Sequence, residues 1–153
     1  MESHVEKVRK VFKKNGFNDK DIYKLASVLS KLESEAGPTK CWNANDVYVL
    51  DKAFTTSHAY HPCYKGKNVN PLVLSIYNIF SNEEDGEMML IRKSICKNYH
   101  CMNPRHLFYG DHIDLKIEKW KRKGVNIDKN KYTTVLWMYK NNSKSLSYRK
   151  LAD

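Results

Sequence analysis

The sequence predicts an α+β domain, in which N-terminal helices precede a small antiparallel sheet and a basic helical C-terminal tail follows. Apolar residues recur at helical spacing before residue 36, and short apolar runs rich in β-branched and aromatic residues lie between residues 47 and 91. Two cysteines and a histidine then cluster around an Asn-Pro turn, ahead of another helical pattern. At 153 residues, the chain has the length of one domain with an appendage.

Residues 1–36 predict a pair of helices packed on the rest of the domain. Ser3 followed three residues later by Glu6 is a capping-box signature, and Gly16 is placed to end the first helix. Asn18 is a second N-cap, after which four apolar residues recur at helical spacing, namely Ile22, Leu25, Leu29 and Leu32.

Residues 37–125 form the predicted central domain. Residues 47–50 are β-branched and aromatic and predict a strand, whereas residues 52–71 are rich in turn formers and predict a loop or hairpin. Residues 72–80 are apolar but do not distinguish strand from helix. Residues 88–91 predict a strand that leads into the cysteine cluster.

The helix that follows the cluster is predicted over residues 112–123, with Asp111 as its N-cap and Gly124 as its end. Strands, cluster and helix then follow the order of a ββα unit. Residues 126–153 form the predicted basic tail, with a helix over residues 132–139 and a segment at 143–152 similar to the start of a helix-turn-helix unit.

The charge balance favours a polyanionic partner. Lys and Arg number 27 against 17 Asp and Glu, which gives a net charge of +10, and 10 Tyr and 3 Trp lie among them. Basic side chains neutralise phosphates and aromatic rings stack on bases. The chain has no apolar run long enough to span a membrane, and charges interrupt its N-terminus, so we expect an intracellular protein, nuclear or cytoplasmic, wherever DNA is accessible.

Cys96, Cys101 and His106 lie in a segment that we call the knuckle (residues 96–107). Thiolate and imidazole are the ligand mix that Zn²⁺ prefers, and cysteines in a reducing compartment are more often metal ligands than disulfides. A structural zinc site is closed by four ligands, so a fourth must come from outside the knuckle. Cys41 and Cys63 both remain candidates, and His100 competes with His106.

The pattern Cys96-x4-Cys101-x-Asn103-Pro104-x-His106-Leu107-x-x-Gly110, with Cys41-Trp42 upstream, resembles the zinc-bearing His-Me finger (HNH-like, ββα-metal) homing endonucleases. The resemblance covers about residues 41–116. It implies a structural zinc site closed by four residues, which are Cys41, Cys96, Cys101 and His106.

The same resemblance places the family's catalytic positions on unsuitable residues. Its general base, a histidine, falls on Ser94, and its divalent-metal ligand, an asparagine, falls on Leu115. Serine is not a base near neutral pH, and leucine cannot coordinate Mg²⁺. The resemblance thus favours a scaffold without catalysis. The alternative is a divergent Mg²⁺-dependent DNA endonuclease that uses His112 with Asp111 or Asp114.

A second layout is similar to the Mad-homology DNA-binding domain of Smad transcription factors. Gly37-Pro38-Thr39-Lys40-Cys41 follows two helices, and a Lys-Gly-Lys hairpin-like segment lies at residues 65–67. This similarity implies DNA contacts by a β-hairpin, with Tyr64, Lys65 and Lys67 as the contacting residues.

Together these features predict a non-catalytic, regulatory protein that binds double-stranded DNA in a sequence-dependent or structure-dependent way, with structural Zn²⁺ and possible homodimerisation. Lys65 and Lys67 would read a groove. The phosphates would be met by Lys116, Lys119, Lys121, Arg122 and Lys123. A further alternative is an adaptor that binds proteins through the same basic face.

Overall fold

The computed structural model describes residues 2–48, 51–56, 61–81 and 88–141. Within these residues the fold is α+β, as the sequence predicts, with six α-helices and two small antiparallel sheets. The helices are α1 (His4–Lys14), α2 (Asp19–Glu35), α3 (Ala44–Tyr48), α4 (Asn70–Ile76), α5 (His112–Arg122) and α6 (Lys129–Asn141). The strands are β1 (Phe54–Thr56), β2 (Pro62–Tyr64), β3 (Lys67–Asn68), β4 (Met89–Arg92) and β5 (Leu107–Gly110).

The two N-terminal helices begin where the sequence predicts. The Ser3 hydroxyl accepts a hydrogen bond from the Glu6 N–H at 3.2 Å, and Asn18 forms a reciprocal capping box with Asp21. These caps satisfy N–H groups that have no partner within a helix. The apolar stripes of α1 and α2 enter one core with Trp42 and Met102, so the helical pair and the knuckle share a single apolar interior.

The prediction of a strand at residues 47–50 is wrong for residues 47 and 48, because they belong to α3. The backbone of Asn43 pairs with that of Cys101, and the Val47 N–H donates to the Asn43 carbonyl at 3.3 Å. Val47 is nearly fully buried. A short apolar run suits any buried element, so packing rather than composition decides its conformation. Residues 49 and 50 lie outside the described residues.

The hairpin predicted within residues 52–71 is confirmed in the first sheet, whose strand order is β1-β2-β3. Tyr64 pairs with Lys67 across a two-residue turn of Lys65 and Gly66. Both turn residues have positive φ, 48° and 80°, which matches the type I′ geometry that suits the twist of adjacent strands. Residues 57–60 lie outside the described part of the chain.

The ambiguous apolar segment at residues 72–80 begins within a helix, α4. Pro71 occupies its first turn, where a missing N–H costs nothing. Leu72, Val73 and Leu74 are all fully buried, since α4 packs against both α1 and α2. A helix that is covered on several sides has no polar face, so its period cannot be read from the sequence.

A ββα arrangement surrounds the knuckle. β4 and β5 pair antiparallel from Met89 opposite Gly110 to Arg92 opposite Leu107, and α5 packs on both strands. As predicted, Asp111 caps α5, in a capping box with Asp114. A Cβ atom at Gly110 would lie 2.8 Å from the Asp114 carboxylate, so the tight strand-to-helix junction requires glycine.

The helix predicted at residues 132–139 is confirmed within α6, whereas the helix-turn-helix-like segment at 143–152 lies outside the described residues. No helix among the described residues is long and apolar enough to cross a membrane.

A buried carboxylate ties the hairpin to α2. Asp21 is 6% exposed and accepts hydrogen bonds from the Tyr64 hydroxyl and the Lys65 ammonium, each at 2.7 Å. Burial alone would raise the pKa of Asp21, but hydrogen bonds from Lys65, Tyr64 and the Asn18 backbone outweigh it and lower the pKa. The ionised form of Asp21 therefore stabilises the fold.

We expect Asp21→Ala to lower the free energy of unfolding by about 2–3 kcal/mol at neutral pH, because it leaves the Tyr64 hydroxyl buried without its acceptor. The pKa of Asp21 in the folded protein lies below its unfolded value of about 3.9. The difference in unfolding free energy between wild type and variant should therefore shrink as the pH falls below about 3.9 and through the folded pKa. Urea denaturation across pH measures both. Asp19→Ala, which removes an exposed ion pair with Arg9, is the control and should cost far less.

Candidate metal centre

Four potential ligand atoms from two separate chain segments meet beside the ββα unit. Cys41 precedes α3, Cys96 and Cys101 lie in the connection between β4 and β5, and His106 ends a 3₁₀ turn just before β5. The three sulfur atoms and one imidazole nitrogen all lie within 4.8 Å of one another. Cys41, the third residue after Gly37-Pro38, therefore precedes the other three ligands by 55 or more residues in the chain.

Three of the distances between these atoms are close to the edges of a tetrahedral metal site. Cys41 Sγ lies 3.7 Å from Cys96 Sγ, and His106 Nδ1 lies 3.8 Å from Cys41 Sγ and 3.5 Å from Cys101 Sγ. Metal–sulfur and metal–nitrogen bonds of about 2.3 and 2.05 Å give tetrahedral edges of about 3.8 Å between sulfurs and about 3.6 Å between sulfur and nitrogen. The four residues therefore lie close enough, and with suitable spacing, to hold a metal ion.

Hydrogen bonds outside the cluster orient its ligands. His106 Nε2 lies 2.9 Å from the Thr39 carbonyl oxygen, to which it donates, so Nδ1 is left as the acceptor that faces the sulfurs. The backbone N–H groups of Trp42 and Asn103 donate to Cys101 Sγ at 3.3 and 3.4 Å. The Arg92 guanidinium donates to Cys96 Sγ at 3.4 Å. Each of these contacts favours a thiolate or the correct imidazole tautomer.

Asn103 joins the knuckle to the segment that carries Cys41. Its side-chain amide donates to the carbonyls of Pro38 at 3.0 Å and Lys40 at 2.7 Å, while its oxygen accepts from the Arg105 N–H at 3.0 Å. The side chain is fully buried, so these bonds have no competition from water. Sequence reasoning identified Asn103 as part of a motif but not as this bridge, because its partners are distant carbonyls.

The protonation of the three thiols depends on burial and on their proximity. Burial, followed by the neighbouring Cys101 and Cys96, raises the pKa of Cys41 to about 12. Burial also raises the pKa of Cys101, in spite of its two backbone donors. For Cys96 burial acts in the same direction, but a backbone hydrogen bond at Asn98 and the Arg92 guanidinium outweigh it and lower the pKa. Three thiolates this close repel one another, and a divalent cation would offset that repulsion.

The competing ligands are not part of the cluster. Cys63 is buried in β2, where its thiol donates to the His61 carbonyl at 3.6 Å. His100 and His61 also lie outside the four-residue group, and His58 is not among the described residues. Within the described ranges no second group of three or more Cys, His, Asp or Glu residues is placed to hold a metal.

The alternative catalytic residues have structural roles. Asp111 and Asp114 accept each other's backbone N–H groups at 2.9 Å, and the Lys129 ammonium lies 3.1 Å from Asp114 and 3.5 Å from Asp111. The two carboxylates therefore share one ammonium group as their ion-pair partner. His112 is exposed in the first turn of α5. At Ser94, the position of the family's general base, the backbone N–H donates to the buried Glu118 carboxylate at 3.3 Å.

The predicted DNA-contacting residues divide into two groups. Lys116, Lys119 and Lys121 are exposed on α5, and Lys123 is exposed directly after it. Arg122 donates to the Arg92 carbonyl at 2.6 Å. Lys67 is exposed on the hairpin, whereas the Lys65 ammonium is bound to Asp21. The expectation that Tyr64 contacts DNA is wrong for this structure, since its ring is fully buried between Phe17 and Phe54.

Comparison with known proteins found no matching family model, no matching curated protein and no matching solved structure. The cluster and the basic face of α5 are therefore interpreted from their own geometry.

We expect Arg92→Ala to weaken metal binding about 10- to 100-fold, the usual effect of removing a group that supports a ligand. Arg92 donates to the Cys96 sulfur, so its loss makes that thiolate harder to form. Competition for zinc with a chromophoric chelator measures the affinity. Lys93→Ala, a neighbouring loss of one positive charge, is the control, and an equal effect there would attribute the change to net charge instead.

Proposed function

We propose that this protein binds double-stranded DNA through the basic face of α5, on a fold stabilised by one zinc ion, and that it does not cleave the DNA. The observation that carries the proposal is the outward display of lysines on a helix packed on the two strands that flank the Cys3His cluster.

Zinc is the metal that fits the donors best. Three sulfurs and one imidazole nitrogen within 4.8 Å of one another form a soft set of four ligands, which is typical of a closed structural zinc site. The ligands connect the segment before α3 to the β4–β5 connection. Bound metal would therefore hold together parts of the chain that are distant in sequence, and would supply folding free energy.

The charges of α5 support DNA as the partner. Its acidic residues are used internally: Asp114 binds Lys129 and caps the helix, and Glu118 is buried against the Ser94 N–H with Lys121 3.5 Å away. Lys116 and Lys119 are exposed, as is Lys123 directly after the helix, which leaves a positive surface. Such a surface is suited to the phosphate backbone, where each contact releases a bound counterion. On the hairpin, Lys67 retains the predicted groove-reading role, whereas Lys65 has an internal partner.

The residues at the positions that would be catalytic do not support cleavage. Ser94 offers no base, Leu115 offers no oxygen ligand, and Asp111 and Asp114 already share an ion pair with Lys129. Regulation of transcription or of another DNA transaction is the use that fits binding without chemistry.

Purified protein should contain one zinc ion per chain by elemental analysis. We expect Cys96→Ser to lose the metal and the cooperative thermal unfolding transition, because a structural zinc site contributes folding free energy directly. Cys63→Ser, which changes a buried thiol outside the cluster, should keep both the metal and the transition. Metal-free native protein with wild-type stability would contradict the zinc proposal.

Binding to duplex DNA should weaken steeply with salt. Alanine at Lys119 or Lys123 should each reduce the slope of log K against log salt by about 1, since each removes one phosphate contact. Lys31→Ala, an exposed lysine on α2, is the matched control and should leave the slope unchanged. Fluorescence anisotropy across a salt series measures it. Plasmid nicking with Mg²⁺ that is lost in His112→Ala would contradict the proposal of binding without cleavage.

A further inference from the structure

Two large apolar side chains project from the connection between β4 and β5 (residues 93–106). Ile95 is 80% exposed and Tyr99 is 62% exposed, while Cys96, between them in sequence, is 1% exposed. Ile95 has the largest exposed fraction among the large apolar side chains that the structure describes. The core does not use either side chain, so both are accessible to a partner.

The segment that carries these side chains is braced. One Arg92 nitrogen donates to Cys96 Sγ at 3.4 Å and another donates to the Tyr99 carbonyl at 3.2 Å. The Asn98 side chain is hydrogen-bonded to that of Asn43, and its oxygen accepts from the His100 N–H at 3.0 Å. Ile95 and Tyr99 therefore extend from a loop that is anchored between them and on both sides.

The same segment lies against the basic end of α5. Arg122 donates to the Arg92 carbonyl at 2.6 Å, and the Ser94 N–H, one residue before Ile95, donates to Glu118. These two contacts place the backbone that leads into Ile95 beside the turn of α5 that carries Lys119 and Lys121. Residues 88–110 contain four basic residues and no Asp or Glu, namely Arg92, Lys93, Lys97 and Arg105.

We propose that this connection is a DNA-deforming wedge, in which Ile95 enters a flexible base step of the duplex and Tyr99 packs against the unstacked bases while α5 holds the adjoining phosphates. The inference rests on the proposed DNA binding and adds to it a mode of contact. Isoleucine is one of the side chains that insert between base pairs from the minor groove, and the unstacking they cause is offset by new contacts. A braced loop suits this task because a mobile one would give way to the stack.

The charge of the surface selects duplex DNA over other partners with apolar sites. The core of a protein–protein interface is depleted of charged residues, whereas residues 88–110, which carry the exposed Ile95 and Tyr99, contain four basic residues and no acidic one. Pyrimidine–purine steps such as TA are the easiest to unstack, so the wedge predicts a preference for duplexes that contain them.

The test uses the full chain and a short duplex with 2-aminopurine at TA steps, whose fluorescence rises when the base unstacks. Wild-type protein should bind and increase the fluorescence. Ile95→Ser should abolish the increase and weaken binding about tenfold, while the salt slope set by α5 stays as in wild type. Val5→Ser, a 58% exposed aliphatic residue on α1, is the matched control and should behave as wild type.

The outcomes separate the wedge from the proposed function. Salt-dependent binding without a fluorescence increase overturns the wedge and leaves DNA binding intact, whereas absence of binding overturns both. An equal loss in Val5→Ser would assign the effect to general surface apolarity and overturn the wedge. Co-sedimentation with phosphatidylserine vesicles that is lost in Ile95→Ser, with DNA unstacking unchanged, would assign the side chain to a membrane surface instead. Circular dichroism should show that both variants remain folded, since both positions are exposed.

Discussion

Three thiols and one imidazole within 4.8 Å of one another are the arrangement on which the rest of this structure depends. These groups do not attract one another, because buried thiolates repel each other and buried thiols gain little interaction energy from being close. Cys41 and Cys96 are 55 residues apart in the chain, and closing a loop of that length costs conformational entropy. A metal ion at the centre would supply the free energy for that closure. Asn103 and His106 then fix its geometry through the carbonyls of Thr39, Pro38 and Lys40.

The cluster also lies between the helical core and the ββα unit, and it contacts both. On one side, Trp42 is fully buried and its indole N–H donates to the Gly37 carbonyl at 2.9 Å, so the residue after Cys41 anchors the helical core. On the other side, Arg92 links Cys96 to the strand that pairs with β5 and supports α5. The same short segment thus joins the apolar interior to the basic surface. Loss of the metal site would therefore disturb both the apolar interior and the basic surface, because the positions of Trp42 and of α5 both depend on it.

Buried and exposed charges have different uses in this fold. Asp21, Asp114 and Glu118 bind groups within the chain, and two of the three are almost fully buried. Lys116, Lys119 and Lys123 remain on the outside. An excess of ten positive charges in the composition is therefore concentrated further at the surface of α5, because its acids face inward. The hairpin shows the opposite case. The sequence alone assigns Lys65 to DNA contact, but its ammonium forms an ion pair with Asp21.

Sequence by itself determined the features that rest on neighbours in the chain. The caps of α1, α2 and α5 and the Lys65-Gly66 turn follow from side chains within a few residues, so local patterns predicted them. The knuckle ligands followed from their spacing, whereas Cys41 entered by resemblance and left Cys63 in competition. Tertiary structure alone decided that Cys41 joins the cluster, that Val47 is helical, that α4 is a helix and that Tyr64 is buried. Each of these depends on what lies across the core, and the free energy of burial there exceeds the weak preference that a short stretch of sequence carries.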